Sequence, residues 1–209
     1  MPEIIVKLIT PQDEALLDEA YGLYFESIER SEQRPEEEFR ALVARPDYHL
    51  IGAILEGHTA GLALSWVPPE APIWLFEYAA ISPTLRGHGI GANLFLASRH
   101  MAGPERTALI EVDRPDDEIK RRRLSFYRRL DCRRIGGLDY LLPLDAFGTP
   151  PPMWLLAATS PPDQPSLSIH VVESWLRSIY LGAYGKRLDD PRLAQMIDPL
   201  PDDVPLIGI

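Results

Sequence analysis

EYAAISPTLRGHGIG, residues 77–91, joins an apolar run to an amphipathic one through a turn rich in glycine. The run begins at Ile73 and is closed by Ser82-Pro83, which reads as a strand end. Gly87, Gly89 and Gly91 follow, and the stretch to about Met101 then places Leu94, Phe95 and Ala97 on one helical face. A strand that feeds a glycine turn opening a helix gathers backbone N–H groups at the positive helix end, where a pyrophosphate can sit. Glycine permits positive φ there and close approach of the ligand, although the same glycines also suit a tight connection made for packing alone. The spacing is not G-x-G-x-x-G, and G-x-x-x-x-G-K-[ST] occurs nowhere in the chain.

Working outward, Ile4–Ile9 reads as a strand, and Thr10 with Asp13 starts a helix to about Ser27 carrying Leu16, Leu17, Ala20, Leu23 and Tyr24 at helical spacing. Pro35 with Glu36, Glu37 and Glu38 opens a short second helix that Pro46 ends. Tyr48–Leu55 and residues 60–67 form a hairpin across Glu56-Gly57-His58-Thr59, and Ile73–Ile81 follows Pro68-Pro69-Glu70 as a further strand. Downstream, Thr107–Val112 is a strand, Asp116, Asp117 and Glu118 head a basic helix to about Leu130, and residues 133–142 form another strand. Residues 153–158 are expected to be the last strand of the main sheet. The order β-α-α-β-β-β-α-β-α-β-β predicts a mixed-sheet α/β (α+β) domain over residues 1–159.

Residues 160–209 read as a C-terminal extension. Pro161, Pro162 and Pro165 mark a linker, and Val172, Trp175, Leu176, Ile179, Tyr180 and Ala183 make an apolar stripe along a helix over residues 166–184. Asp190-Pro191 opens a short final helix, and Pro199, Pro201 and Pro205 keep the end extended. The stripe is expected to dock on its own subunit or to form a homodimer interface.

The 209 residues carry 21 Lys+Arg against 31 Asp+Glu, a net charge of −10, which argues against nucleic-acid or anionic-membrane partners. Residues 116–134 dissent, with eight basic and four acidic residues, a net +4 that leaves −14 elsewhere. That run reads as a solvated helix face, with steering of an anionic ligand as the alternative. No apolar run approaches the roughly 18 residues of a membrane span, and Glu3 and Lys7 interrupt the start as a signal peptide would not be interrupted. With Cys132 as the one cysteine, read as a small buried hydrophobe, a cytoplasmic protein is expected. His49, His58, His100 and His170 are scattered, so no metal site is expected.

Arg86, Gly89 and Gly91, preceded by Ile81-Ser82-Pro83, resemble motif A of the GNAT N-acetyltransferase superfamily, [Q/R]-x-x-G-x-[G/A], and the element order over about residues 3–158 is similar to that family's layout. The resemblance implies a GNAT-type acyl-CoA N-acyltransferase fold with a C-terminal helical extension. It also implies acetyl-CoA as acyl donor, placed between the fourth strand, Ile73–Ile81, and the fifth, Thr107–Val112. Backbone groups of Ala79, Ala80 and Ile81 would then meet the pantetheine arm. The amides of Gly87, His88, Gly89, Ile90, Gly91 and Ala92, with Arg86 ahead of them, would hold the pyrophosphate.

Phe126-Tyr127 resembles the family's F-Y pair, which implies Tyr127 as general acid for the leaving thiolate; a core tyrosine is the plainer reading. Asp131 and Cys132 stand where the family usually has Gly and Phe, and Lys120 stands where an Asn is frequent. Glu77, on one strand face with Ala79 and Ile81, is the candidate base for the acceptor amine, against a solvated or salt-bridged carboxylate or a water chain. Direct transfer of acetyl to a primary amine, on a small molecule or peptide, is the activity implied. A longer acyl chain, a hydroxyl acceptor or an acyl-CoA-binding module without turnover are the alternatives. Glu29, Glu32, Glu36, Glu37 and Glu38 surround the connection between the first two helices and would favour a cationic acceptor, or serve only the helix dipole and solubility.

Overall fold

The computed structural model describes residues 3–162 and 164–209 and divides the chain into two compact units. The first unit holds the chain up to Val67, Phe76–Pro104 and Leu144–Gly148; the second holds Pro68–Leu75, Glu105–Pro143 and Thr149–Ile209.

The first unit contains β1 (Ile4–Ile9), α1 (Glu14–Ser27), α2 (Glu36–Val43), β2 (Tyr48–Leu55), β3 (His58–Trp66), most of β4 (Ile73–Ile81) and α3 (Ile90–Ala102). Its strands lie in the order β1-β2-β3-β4. β1 pairs antiparallel with β2 from Ile4↔Leu55 to Ile9↔Leu50, and β2 with β3 from Tyr48↔Trp66 to Leu55↔His58. The hairpin turn is tighter than the four residues expected from sequence. Glu56 (φ 52°) and Gly57 (φ 88°) alone reverse the chain, as a turn matched to strand twist requires, and His58 and Thr59 join β3. Asp13 does not cap α1 with its side chain; it accepts from Thr10 N (2.9 Å), Thr10 Oγ1 (2.8 Å) and Lys7 Nζ (2.8 Å), tying β1 to the helix start.

The second unit contains the start of β4, then β5 (Thr107–Val112), α4 (Glu118–Arg128), β6 (Arg133–Ile135), β7 (Trp154–Ala158), β8 (Ser166–Ser168), α5 (Ile169–Ser178), α6 (Pro191–Ile197) and β9 (Asp203–Ile207). Its order is β5-β7-β6-β9-β8, and each of these neighbours is antiparallel. Three expectations are corrected here. The strand expected over residues 133–142 stops at Ile135, because Gly137 turns the chain at φ 76°; Gly136 before it lies against β9, where its N donates to Pro205 O (2.7 Å) and a Cβ would have no room.

Residues 153–158 are not the last strand either. Residues 203–207 alternate exposed and buried, with Val204 and Leu206 inward, and β9 pairs with β6 through Ile135↔Leu206. The helix expected from residue 166 begins at Ile169, after β8, and runs into a π-helical turn over Ile179–Ala183. Its stripe holds: Val172, Trp175, Leu176, Ile179, Tyr180 and Ala183 are all buried within this chain. Asp190 caps α6 by accepting from Arg192 N (3.0 Å), as the sequence predicts. Cys132 is buried, with its Sγ 3.7 Å from Leu130 O. Among the described residues no helix is long and apolar enough to cross a membrane.

Candidate functional site

The glycine turn lies in the first unit and has the backbone its sequence asks for. After Ser82 a single 3-10 turn, Pro83–Leu85, carries the chain to Gly87 (φ 88°) and Gly89 (φ 80°), and Gly89 is the residue from which α3 starts. Both φ values are ones that side-chain-bearing residues adopt only at a cost, and a Cβ at either glycine would meet nothing within 4 Å. The space beside the turn is therefore open, and the constraint on these glycines is conformational. Asn93 N donates to Gly89 O (3.1 Å), which begins the helical ladder, so the amides ahead of Asn93 have no carbonyl one turn back. Gly87, His88 and Gly89 are exposed, Gly91 and Ala92 are half-buried, and Ile90 is buried.

This cradle suits a pyrophosphate: exposed donors, a helix positive end and no side-chain wall. Arg86 is exposed and turns its Nε toward Ile81 O (3.4 Å). The His88 ring places Nδ1 3.2 Å from Leu85 O, so at this turn His88 offers its backbone rather than its ring. On β4, Ala79 is exposed, Ala80 buried and Ile81 half-buried.

Glu77 is in the same unit but withdrawn from solvent. Its Oε1 accepts from Arg34 Nε (3.0 Å) and Nη2 (2.8 Å), its Oε2 accepts from the Tyr48 hydroxyl (3.1 Å), and its side chain is 0% exposed. The surrounding bonds hold the segment between α1 and α2: Arg34 N donates to Tyr24 Oη (2.6 Å), the Tyr78 hydroxyl to Glu32 O (2.9 Å), and Gln33 Nε2 to Ile28 O (2.6 Å). Burial pushes the Tyr24 phenol up to about 12, so it stays a neutral acceptor for that amide. Glu77 thus acts as a structural strut, and proton abstraction by it would require opening a buried ion pair. Of the acidic residues near this connection, Glu32 is buried and Glu36 pairs with Arg40 (2.7 Å).

Tyr127 lies in the second unit, on the buried side of α4 beside Leu124, with its ring edge-on to Phe126 at 5.0 Å. Burial pushes its phenol pKa well up, against the lowering effect of Arg123, so the hydroxyl keeps its proton at neutral pH. Two amides fix the end of the helix on its carbonyl, Leu130 N (3.0 Å) and Cys132 N (3.1 Å). Asp131, where the family usually has glycine, takes the left-handed conformation at φ 59°. The departure changes the side chain and leaves the turn intact, since Asp tolerates this region better than most residues.

Sequence reading missed Arg34 and Tyr48, which face Glu77, and it missed Glu111. The Glu111 carboxylate on β5 accepts from the Tyr140 hydroxyl and from the Tyr184 hydroxyl (2.6 Å), clasping the C-terminal segment to β5. A lone carboxylate in the apolar run Thr107–Val112 was the available signal. Among the described residues no cluster of three His, Cys, Asp or Glu could hold a metal ion.

A family model described as the acetyltransferase (GNAT) family matches residues 14–130, which is 117 of the 209 residues. The chain belongs to the GNAT acetyltransferase family. None of the curated proteins matches it. Among solved structures, this GNAT chain is similar to a GNAT-family acetyltransferase from Bacteroides thetaiotaomicron, at 24% identity and TM-score 0.72 over 88% of this chain and 100% of that one. It is also similar to the ribosomal-protein-S18-alanine N-acetyltransferase of Escherichia coli, at 16% and 0.56 over 74% and 92%. A third is an aminoglycoside 6'-N-acetyltransferase complexed with coenzyme A, at 18% and 0.55 over 77% and 99%. At these identities the likeness establishes the fold, a mixed, mostly antiparallel α/β GNAT fold.

Proposed function

We propose that this GNAT acetyltransferase moves an acetyl group from acetyl-CoA to a primary amine by direct attack of the amine on the thioester. The observation that carries this reading is the exposed turn with positive φ at Gly87 and Gly89, whose amides open α3 toward an unobstructed space. The family supports it, as does the coenzyme A bound by one structural relative.

Acetyl-CoA supplies the activated acyl group. The amides of Gly87 to Ala92 hold its pyrophosphate, and the backbone of Ala79 to Ile81 lies along the strand that leads to them. Tyr127 gives its proton to the departing thiolate, and burial keeps that proton on the phenol at neutral pH. The amine reaches the thioester as a free base, with water removing its proton, because both oxygens of Glu77 are engaged. A chain with net charge −10 favours a cationic acceptor by long-range attraction.

Calorimetric titration with acetyl-CoA, repeated on Gly89→Glu, tests the site. Binding by the wild type that the folded variant loses supports it, and turnover across a panel of primary amines then identifies the acceptor class. Binding without turnover on any amine would make the chain an acyl-CoA-binding module, and no binding by the wild type would end the reading.

A further inference from the structure

A cleft of about 460 Å³ lies wholly within the second unit. It is lined by Arg121, Leu124 and Ser125 of α4, Arg134 of β6, Trp154 of β7 and Ile207 of β9. That volume falls in the range of small-molecule sites, about 300–1,000 Å³. The apolar part is Leu124, the indole of Trp154 and Ile207, which is 39% exposed. Among the described residues, the polar side chains that line the cleft are two guanidiniums and one hydroxyl, all able to donate, and none is acidic; Gly208 and Ile209, which follow β9, add main-chain groups to its wall.

The two guanidiniums are not spoken for by carboxylates. On α4, Lys120 pairs with Asp116 (2.8 Å) and Arg123 with Asp113 (2.7 Å), while Arg122 and Arg128, like Arg121, pair with no carboxylate among the described residues. Among the described residues, Arg121 and Arg134 have no such partner. The Arg134 guanidinium carbon instead lies 4.5 Å from the centroid of the Trp154 ring, so the indole face supports it while leaving its N–H fork without an acceptor. Arg121 is exposed and Arg134 half-buried, so both forks can be reached from solvent, and a planar fork matches a planar carboxylate.

We propose that this cleft binds a small carboxylate whose apolar body, aromatic or branched, rests on Trp154, Leu124 and Ile207 while the carboxylate meets Arg134 and Arg121, with the Ser125 hydroxyl as a further donor. The site uses part of the basic run that the acyl-transfer reading leaves without a role, and it does not rest on that reading. Its occupant is chosen by charge and shape: a neutral molecule of the same outline leaves both guanidiniums unpaired.

The probe is 2-naphthoate, titrated calorimetrically against the full chain, with 2-naphthamide as its neutral counterpart. Saturable naphthoate binding is expected, with the amide weaker by about tenfold or more, because a charge-assisted pair is lost. Arg134→Gln and Trp154→Leu should each weaken naphthoate by a similar factor. Should either fail to fold, Arg121→Gln, at an exposed helix position, carries the same expectation. Gly89→Glu should leave naphthoate binding unchanged, which separates this cleft from the turn proposed for acetyl-CoA. Equal affinity for acid and amide, no saturable binding, indifference of Arg121→Gln and Arg134→Gln, or loss in folded Gly89→Glu would each overturn the proposal. A wild-type dimer in sedimentation that Arg121→Gln dissociates would overturn it in favour of a second copy of the chain.

Discussion

Arg34 places both Nε and Nη2 on a single oxygen of Glu77, at 3.0 and 2.8 Å, with 6% and 0% of the two side chains exposed. A pair so buried has exchanged hydration for mutual attraction, and its worth shows when one partner is removed. Arg34→Met and Glu77→Leu are each expected to cost about 3–5 kcal/mol, and the double variant much less than their sum. Denaturant unfolding of the three variants checks this; strict additivity would mean the pair is not coupled. Glu77→Gln should lower stability yet leave the pH–rate profile of acetyl transfer unmoved. A displaced profile would make Glu77 the base after all.

Tyr127→Phe removes the phenol and keeps the ring. The acyl-transfer rate is expected to fall at least about tenfold with acetyl-CoA affinity nearly unchanged, as for loss of a general acid. Because burial raises the phenol's pKa, the wild-type rate should show no loss from Tyr127 ionisation up to about pH 10, the ordinary range of tyrosine. An unaltered rate in the variant would remove Tyr127 from the mechanism.

Asp131 sits at φ 59°. Asp131→Gly should be neutral or stabilising by up to about 1 kcal/mol, as relief of the left-handed strain offsets the freer unfolded chain, whereas Asp131→Val should cost about 1–2 kcal/mol. Thermal unfolding of both variants decides. Equal melting temperatures would mean that the backbone at 131 is not strained.

His58 Nδ1 and Glu19 Oε1 are 2.7 Å apart, joining the start of β3 to α1. The hydrogen bond with Glu19 raises the His58 pKa above 6.5, so its contribution to stability is full below that unfolded value and fades as pH rises through the folded one. Glu19 is held below 4.5 by His58 and then by the Thr59 amide, so its contribution is present above 4.5 and fades as pH falls through its lowered value. NMR titration of His58 should show a midpoint above the ordinary histidine value of about 6.5, dropping in Glu19→Gln. The same midpoint in both proteins would mean that the contact does not persist in solution.

The order of elements through residue 135, the glycine turn and the buried stripe of α5 were all legible in the sequence. Each rests on local rules: β-branched runs, period-3.6 spacing, a cap such as Asp190, and glycines placed where φ turns positive. The side chains that meet across the fold were not legible. Nothing near Glu77 in the chain names Arg34, which is 43 residues away, and nothing near Glu111 names Tyr184, which is 73 away. Pro199, Pro201 and Pro205 read only as keeping the end extended, yet the Pro205 carbonyl accepts from Gly136 N (2.7 Å) and β9 joins a sheet whose last strand the sequence places at residues 153–158. Sequence alone therefore determined most of the helices and strands and where a glycine turn with positive φ opens α3, because those depend on neighbouring residues. Only the tertiary structure decided that Glu77 is locked to Arg34 and that Arg121 and Arg134 share an open cleft, because partners of a buried or unpaired charge are set by packing between segments distant in sequence.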